Sequence, residues 1–217
     1  MSESGFAVRV VDALEGAYGR RRWRSRGDPV GVLIGTILSQ NTSDVNSGRA
    51  YDELRKTFSS WDDVRRARVA TIARAIRSGG LADIKAPRIK SILGAIYRER
   101  GEVGLDFLRD LSDEEALEYL TKFPGVGLKT AACVLLFALG RHVIPVDTHV
   151  FRVSRRLGMI DGNVSRDEAY CLLRQIVPRE RAFAFHVLLV DHGRTVCLAR
   201  EPRCEQCVLS SVCPRNL

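Results

Sequence analysis

Apolar residues recur along this chain at three- and four-residue steps, and no stretch shows sustained alternation with hairpin turns. The pattern predicts an all-α protein with about ten helices. "PVGVLIGTILSQ" (29–40) is apolar almost throughout and opens with Asp28 and Pro29, a cap followed by the residue best suited to a first turn. "DVNSGRAYDELRKTF" (44–58) is amphipathic and starts at Ser43 or Asp44. "VATIARAIRSGG" (69–80) runs into a glycine pair, a stop signal, and "APRIKSILGAIYRER" (86–100) follows. The capping boxes Ser112…Glu115 and Ser165…Glu168 open two more helices, the second ended by Pro178. "RERAFAFHVLLVDHGR" supplies the last long helix, and beyond Cys197 the periodicity stops.

Composition narrows the class. The 217 residues, 45% hydrophobic and 28% charged, suit one large or two small domains with a proper core. No apolar run reaches the ~18 residues a membrane span needs. The opening "MSESGFAVRVVDALEG" lacks the basic-then-apolar order of a signal peptide, so a cytoplasmic protein is expected. A net charge of +8 points to a polyanionic partner. Nucleic acid fits better than membrane, because no basic helix carries a strongly apolar face. Of the 34 basic residues 29 are arginine and only five lysine. Arginine keeps its proton in proteins and lysine can lose it, so each lysine in such a chain is a candidate for amine chemistry.

The tail "CLAREPRCEQCVLSSVC" spaces Cys197, Cys204, Cys207 and Cys213 as C-x6-C-x2-C-x5-C. Disulfides are disfavoured because nothing marks the chain as secreted. A structural zinc needs four thiolates, usually in two short C-x2-C pairs, and only one such pair is present. A 4Fe-4S cluster also takes four thiolates and accepts wide, uneven gaps, so the spacing favours it. Cys133 and Cys171 fall in helical apolar patterns and read as core residues. Arg200 and Arg203, in the loop between the first two candidate ligands, either meet phosphates or are simply solvated.

"KFPGVGLKTAAC" (122–133) is not a nucleotide phosphate loop, since Leu128 stands where a glycine would have to precede Lys129. It reads as helix, tight turn, helix. Gly125 and Gly127 permit unusual backbone angles around Val126, and the free amides of the second helix face a phosphate. Lys129 and Thr130 lie in that helix's first turn. The helix field there disfavours an ammonium and favours the neutral amine, a nucleophile able to form a Schiff base with a sugar aldehyde. The bland alternative is a surface lysine holding phosphate. Downstream, "IPVDTHVFR" places Asp147 at a helix start, as a cap or as a carboxylate that accepts a proton or stabilises a cationic sugar. His149 reads as a supporting residue rather than a base.

With these residues in order, the chain resembles the helix-hairpin-helix DNA glycosylases of the endonuclease III type. "FPGVGLKTAACVLLFALGRHVIPVDTHVFRVSRRLG" and "GRTVCLAREPRCEQCVLSSVC" carry the resemblance, which extends over about residues 28–213. It implies two helical lobes with a DNA groove between them: a six-helix barrel over 24–135, and a second lobe of 1–23 plus 136–217 holding a 4Fe-4S cluster. It implies base excision from duplex DNA with a β-elimination lyase step, by a monomer in the nucleoid of a prokaryotic cell. Lys129 would attack C1′, Asp147 would activate and stabilise charge, and the target nucleotide would be flipped out. Gln40 or Asn41 in "LSQNTSD" and Leu81 in "GGLAD" match the residues that fill the vacated stack.

The first of those loops departs from the usual Ser-Ala-Gln-Ala-Thr-Asp and looks more like the mismatch and methylcytosine glycosylases. That puts substrate choice in doubt. The expected substrates are oxidised or damaged pyrimidines. The rivals are a T/U-G mismatch glycosylase, in which Asp147 activates water, and a non-catalytic DNA-binding protein whose cluster senses redox state. The adenine glycosylase branch, which lacks the lysine, is disfavoured.

Overall fold

The structure, a computed structural model, describes residues 2–215, and all regular structure among them is helical. The described residues form eleven α-helices: α1 (Glu3–Tyr18), α2 (Pro29–Ser39), α3 (Asp44–Thr57), α4 (Trp61–Arg66), α5 (Val69–Ala75), α6 (Ala82–Arg100), α7 (Asp113–Thr121), α8 (Leu128–Leu139), α9 (Thr148–Arg156), α10 (Arg166–Ile176) and α11 (Ala182–Thr195). They divide into two compact units. One is Ser25–Leu139; the other is Met1–Arg24 with Gly140–Leu217. The second boundary falls at the end of α8.

In the Ser25–Leu139 unit, α2 and α8 form the central pair, with α3, α6 and α7 packed around them. Asp28 caps α2 by accepting a hydrogen bond from the Gly31 amide (2.8 Å), and its same oxygen takes the Trp61 indole N–H (3.1 Å). Val30, Leu33, Ile34, Ile37 and Leu38 of α2 are all buried, as are Ala131, Ala132, Val134, Leu135 and Leu136 of α8. Each large side chain buried this way contributes roughly 1.5–3 kcal/mol.

Two boundaries differ from the periodicity. α6 begins at Ala82 rather than Ala86, with exposed Pro87 inside it. The hydrogen bond that proline cannot make would have gone to the carbonyl of Asp83, an exposed residue in the helix's first turn that water can reach. α5 ends at Ala75, and a 3-10 turn, Arg77–Gly79, completes the path to Gly80. Both predicted capping boxes form.

In the other unit α11 packs on α9 and α1, and α1 also meets α10. The link from α8 to α9 is extended and apolar, with Val143, Ile144 and Val146 buried. The His142 Nε2–H donates to the Val177 carbonyl (2.8 Å), Arg174 Nε donates to the His142 carbonyl (3.1 Å), and buried His186 donates from Nδ1 to the Pro145 carbonyl (2.9 Å). The backbone leading to Asp147 is therefore fixed from several sides.

Candidate active site

The turn before α8 is anchored by Phe123 and Val126, which are 5% and 4% exposed. Tyr119 packs edge-on against Phe123 with ring centroids 5.3 Å apart. The Val126 amide donates to the Phe123 carbonyl (3.1 Å), so it serves the turn and not a ligand. Gly125 has φ +73° and lies under the Arg88 guanidinium, where a Cβ would overlap. The backbone angle disfavours any side chain here, and one would also displace the Arg88 guanidinium. The Gly127 carbonyl accepts from the Ala131 amide (3.0 Å) and starts α8. The amides of Leu128, Lys129 and Thr130 therefore precede the helical ladder and have no acceptor within the helix.

Lys129 sits half-buried in this first turn, and its side chain makes no hydrogen bond or ion pair among the described residues. Three of the other four lysines are committed. Lys85 donates to three oxygens, Lys90 to the carbonyls of Arg65 and Ala67, and Lys122 pairs with Glu118 (3.3 Å). Thr130 is buried, and its hydroxyl accepts from Gln40 Nε2 (3.4 Å).

Gln40 ends α2 with its side chain turned onto the hairpin, whereas Asn41 is exposed with φ +52°. Leu81 is 49% exposed at φ +51°. A left-handed leucine costs roughly 1–2 kcal/mol, and such strain marks candidate functional positions. Before it, Gly79 abuts the Ala50 side chain so closely that a Cβ would sit 2.9 Å from it, and Gly80 has φ +65°. Asn41 and Leu81 are thus displayed, while Gln40 is tied down.

In the other unit Asp147 caps α9. Its Oδ1 accepts from the amides of His149 (2.9 Å) and Val150 (2.8 Å), and Oδ2 accepts nothing among the described residues. One oxygen is structural and the other is free for chemistry. His149 is half-buried, packs on Gly193, and accepts at Nδ1 from Arg152 Nη2 (3.2 Å). That arrangement makes it a supporting residue.

The four tail cysteines line one apolar-walled cavity together with Val153, Arg156, Leu157, His192, Val196 and Leu209. All six cysteines are free thiols, and among the described residues no three His, Cys, Asp or Glu side chains close on a single ion. The surroundings suit electron-rich sulfur. Arg156 Nη1 donates to Cys197 Sγ (3.3 Å), the Arg215 amide to Cys213 Sγ (3.4 Å), and His192 Nε2 lies 3.5 Å from Cys207 Sγ. Arg156 is 8% exposed and keeps its buried Nε–H without an acceptor. Burial raises the Cys207 thiol and lowers His192 to about 4. Arg200 and Arg203 are exposed.

The sequence model of the HhH-GPD superfamily of base excision DNA repair proteins matches residues 34–179. The chain belongs to that family. Among HhH-GPD proteins, Endonuclease III of Sulfolobus acidocaldarius is 32% identical over 84% of this chain and 80% of its own length. A protein of Arabidopsis thaliana named as a DNA glycosylase is 45% identical over 75% of this chain, but the match spans only 55% of that relative. Among solved structures, a non-covalent Endonuclease III–DNA complex superposes with a TM-score of 0.82 at 29% identity, covering 99% of this chain and 97% of that one.

Several residues that matter to this HhH-GPD site carried no sequence signal. Lys85 and Arg88 on α6 hold the loop after α2. Arg152 and Arg156, one turn apart on α9, tie down the tail by donating to the carbonyls of Cys197 (3.1 Å), Leu198 (2.6 Å) and Ala199 (3.2 Å). An i, i+4 arginine pair facing a turn-rich tail was the one available hint.

Proposed function

We propose that this protein is a base-excision DNA glycosylase with an associated abasic-site lyase activity, acting on damaged pyrimidines in duplex DNA. The observation that carries the proposal is Lys129: an uncommitted amine in the first turn of a helix, next to a glycine turn with free amides. The likeness to Endonuclease III in sequence and fold supports the same conclusion.

The hairpin's free amides at the start of α8 grip one phosphate and leave the lysine for covalent work. Asn41 and Leu81 fill the stack that the flipped nucleotide vacates. The Lys129 amine attacks C1′, forming a C–N bond as the bond from C1′ to the base breaks. The base departs with the bonding pair and takes up a proton. Opening of the sugar ring by breakage of the C1′–O4′ bond leaves an imine. Loss of a C2′ proton then expels the 3′ phosphate oxygen and nicks the strand. Asp147 keeps Oδ2 free to accept a proton and to stabilise positive charge on the sugar.

Cys197, Cys204, Cys207 and Cys213 fit a 4Fe-4S cluster. They share one cavity, N–H donors reach the sulfurs of Cys197 and Cys213, and a buried arginine supplies positive charge beside them. When bound, the cluster would supply four iron–thiolate bonds that brace the loop bearing Arg200 and Arg203, placing those side chains for phosphate contact.

Strand cleavage of a duplex with a single abasic site tests the proposal. The wild-type protein should cut with a β-elimination product, and Lys129→Ala should lose ~10³-fold or more in rate while still binding the duplex. An uncut abasic duplex with wild type, or full cleavage by the variant, would overturn it.

A further inference from the structure

Helix α6 presents two cations one turn apart, and both reach the segments assigned to DNA. Lys85 is 2% exposed. Its ammonium donates to the Leu38 carbonyl (2.7 Å), the Thr42 hydroxyl (3.1 Å) and the Gly79 carbonyl (3.0 Å). It thereby joins the loop after α2 to the loop before α6. Arg88 Nη1 donates to Gln40 Oε1 (3.0 Å), and Gln40 Nε2 donates in turn to the Gly125 carbonyl (3.1 Å) and the Thr130 hydroxyl (3.4 Å). The Gln40 amide is thus used at both ends. Turning it over would set its NH₂ against the guanidinium and its oxygen against a carbonyl, so its partners fix its orientation.

The consequence is geometric. Asn41 follows Gln40, Leu81 lies two residues past Gly79, and Lys129 precedes Thr130. Each braced group therefore neighbours a residue assigned to stack filling or to the nucleophile. A Gln40 held at three points does not swing into DNA without breaking all three contacts.

We infer that Gln40 and Arg88 are positioning residues that fasten the loop after α2 to the hairpin, so that seating Asn41 and Leu81 in the stack and delivering the Lys129 amine are one rigid-body event. The inference rests on the lyase reading above. A misplacement of about 1 Å can cost ~10²-fold in rate, so a brace of this kind has a measurable effect.

Two measurements on Gln40→Ala test it, with Arg88→Ala as a second variant. The first is amide hydrogen exchange of the free protein. Peptides over 122–131 should exchange at least ~3-fold faster in either variant, with α9 and the tail unchanged. The second is imine formation, trapped with borohydride, on an abasic site in duplex and in single-stranded DNA. Gln40→Ala should slow trapping ~10-fold or more at saturating duplex and under ~3-fold on the single strand, which has no stack to fill. Unchanged exchange would overturn the brace. Equal slowing on both substrates would mean local damage at Lys129, and a loss confined to duplex affinity would mean that Gln40 itself contacts DNA. If wild type forms no adduct, the lyase reading falls, and hydrogen exchange alone decides for or against the brace.

Discussion

The turn before α8 is anchored first by its own residues, since Phe123 and Val126 go into the core, Gly125 takes the left-handed angle and one amide closes the turn, and Gln40 adds a brace to the Gly125 carbonyl. The tail after α11 is held from outside. Across residues 197–215 only Leu209 is buried, and the one helical piece is a 3-10 turn, Cys204–Gln206. Ordering a residue costs roughly 1–2 kcal/mol of backbone entropy, whereas one buried leucine returns about 1.5–3 kcal/mol. The arginines of α9 offset part of that deficit. The cluster proposed above would add to this through the four cysteines around the cavity. The difference teaches that the hairpin is fastened by buried side chains and protein hydrogen bonds, while the tail has one buried residue and four cysteines around a cavity.

Removing one ligand is the harshest way to break this comparison. If the tail carries the proposed iron–sulfur centre, Cys204→Ser should abolish its visible absorption and open residues 197–215 to proteolysis, leaving hairpin amides as protected as before. A tail that stays protease-resistant without iron would show that Arg152, Arg156 and Leu209 suffice.

A smaller effect is expected at Asp147. Asparagine caps as well as aspartate, so Asp147→Asn keeps the bonds to the His149 and Val150 amides while removing the charge. Base release should slow ~10²-fold, with duplex affinity and melting temperature nearly intact. If affinity or melting temperature falls in parallel, Asp147 is a fold residue only.

The smallest effect concerns the capping boxes. Backbone and hydroxyl hydrogen bonds from Ser112 and Ser165 hold the Glu115 and Glu168 carboxyls below their ordinary range. A carboxyl lowered in the folded state adds stability that is fully present above its unfolded value of about 4.3 and lost as pH falls through the lower folded value. Urea midpoints measured between about pH 6 and pH 3 should therefore decline slightly less in the doubly substituted Glu115→Gln, Glu168→Gln protein than in wild type. Identical acid profiles would remove these caps from the stability account.

What the sequence disclosed follows the range of the contacts. Capping boxes, the glycine turn and the place of Asp147 depend on residues within a few positions of one another, and these were legible. So was the cysteine spacing. Helix α4 escaped notice because six residues, Trp61–Arg66, carry too little periodicity, and its cap pairs Ser60 with Asp63 rather than Glu or Gln. The Lys85, Arg88 and Gln40 contacts span from six to 90 residues along the chain, and only Lys85 to Gly79 is local. Lysine and arginine on an amphipathic helix read as solvated until the fold buries one and turns the other inward.

The central claim is that one amine does the covalent work. Borohydride reduction of the wild-type protein on an abasic duplex, followed by digestion and mass spectrometry of the cross-linked peptide, tests it most directly. The account predicts the sugar remnant on Lys129. A remnant on Lys122, on the N-terminal amine, or on no peptide at all would contradict it.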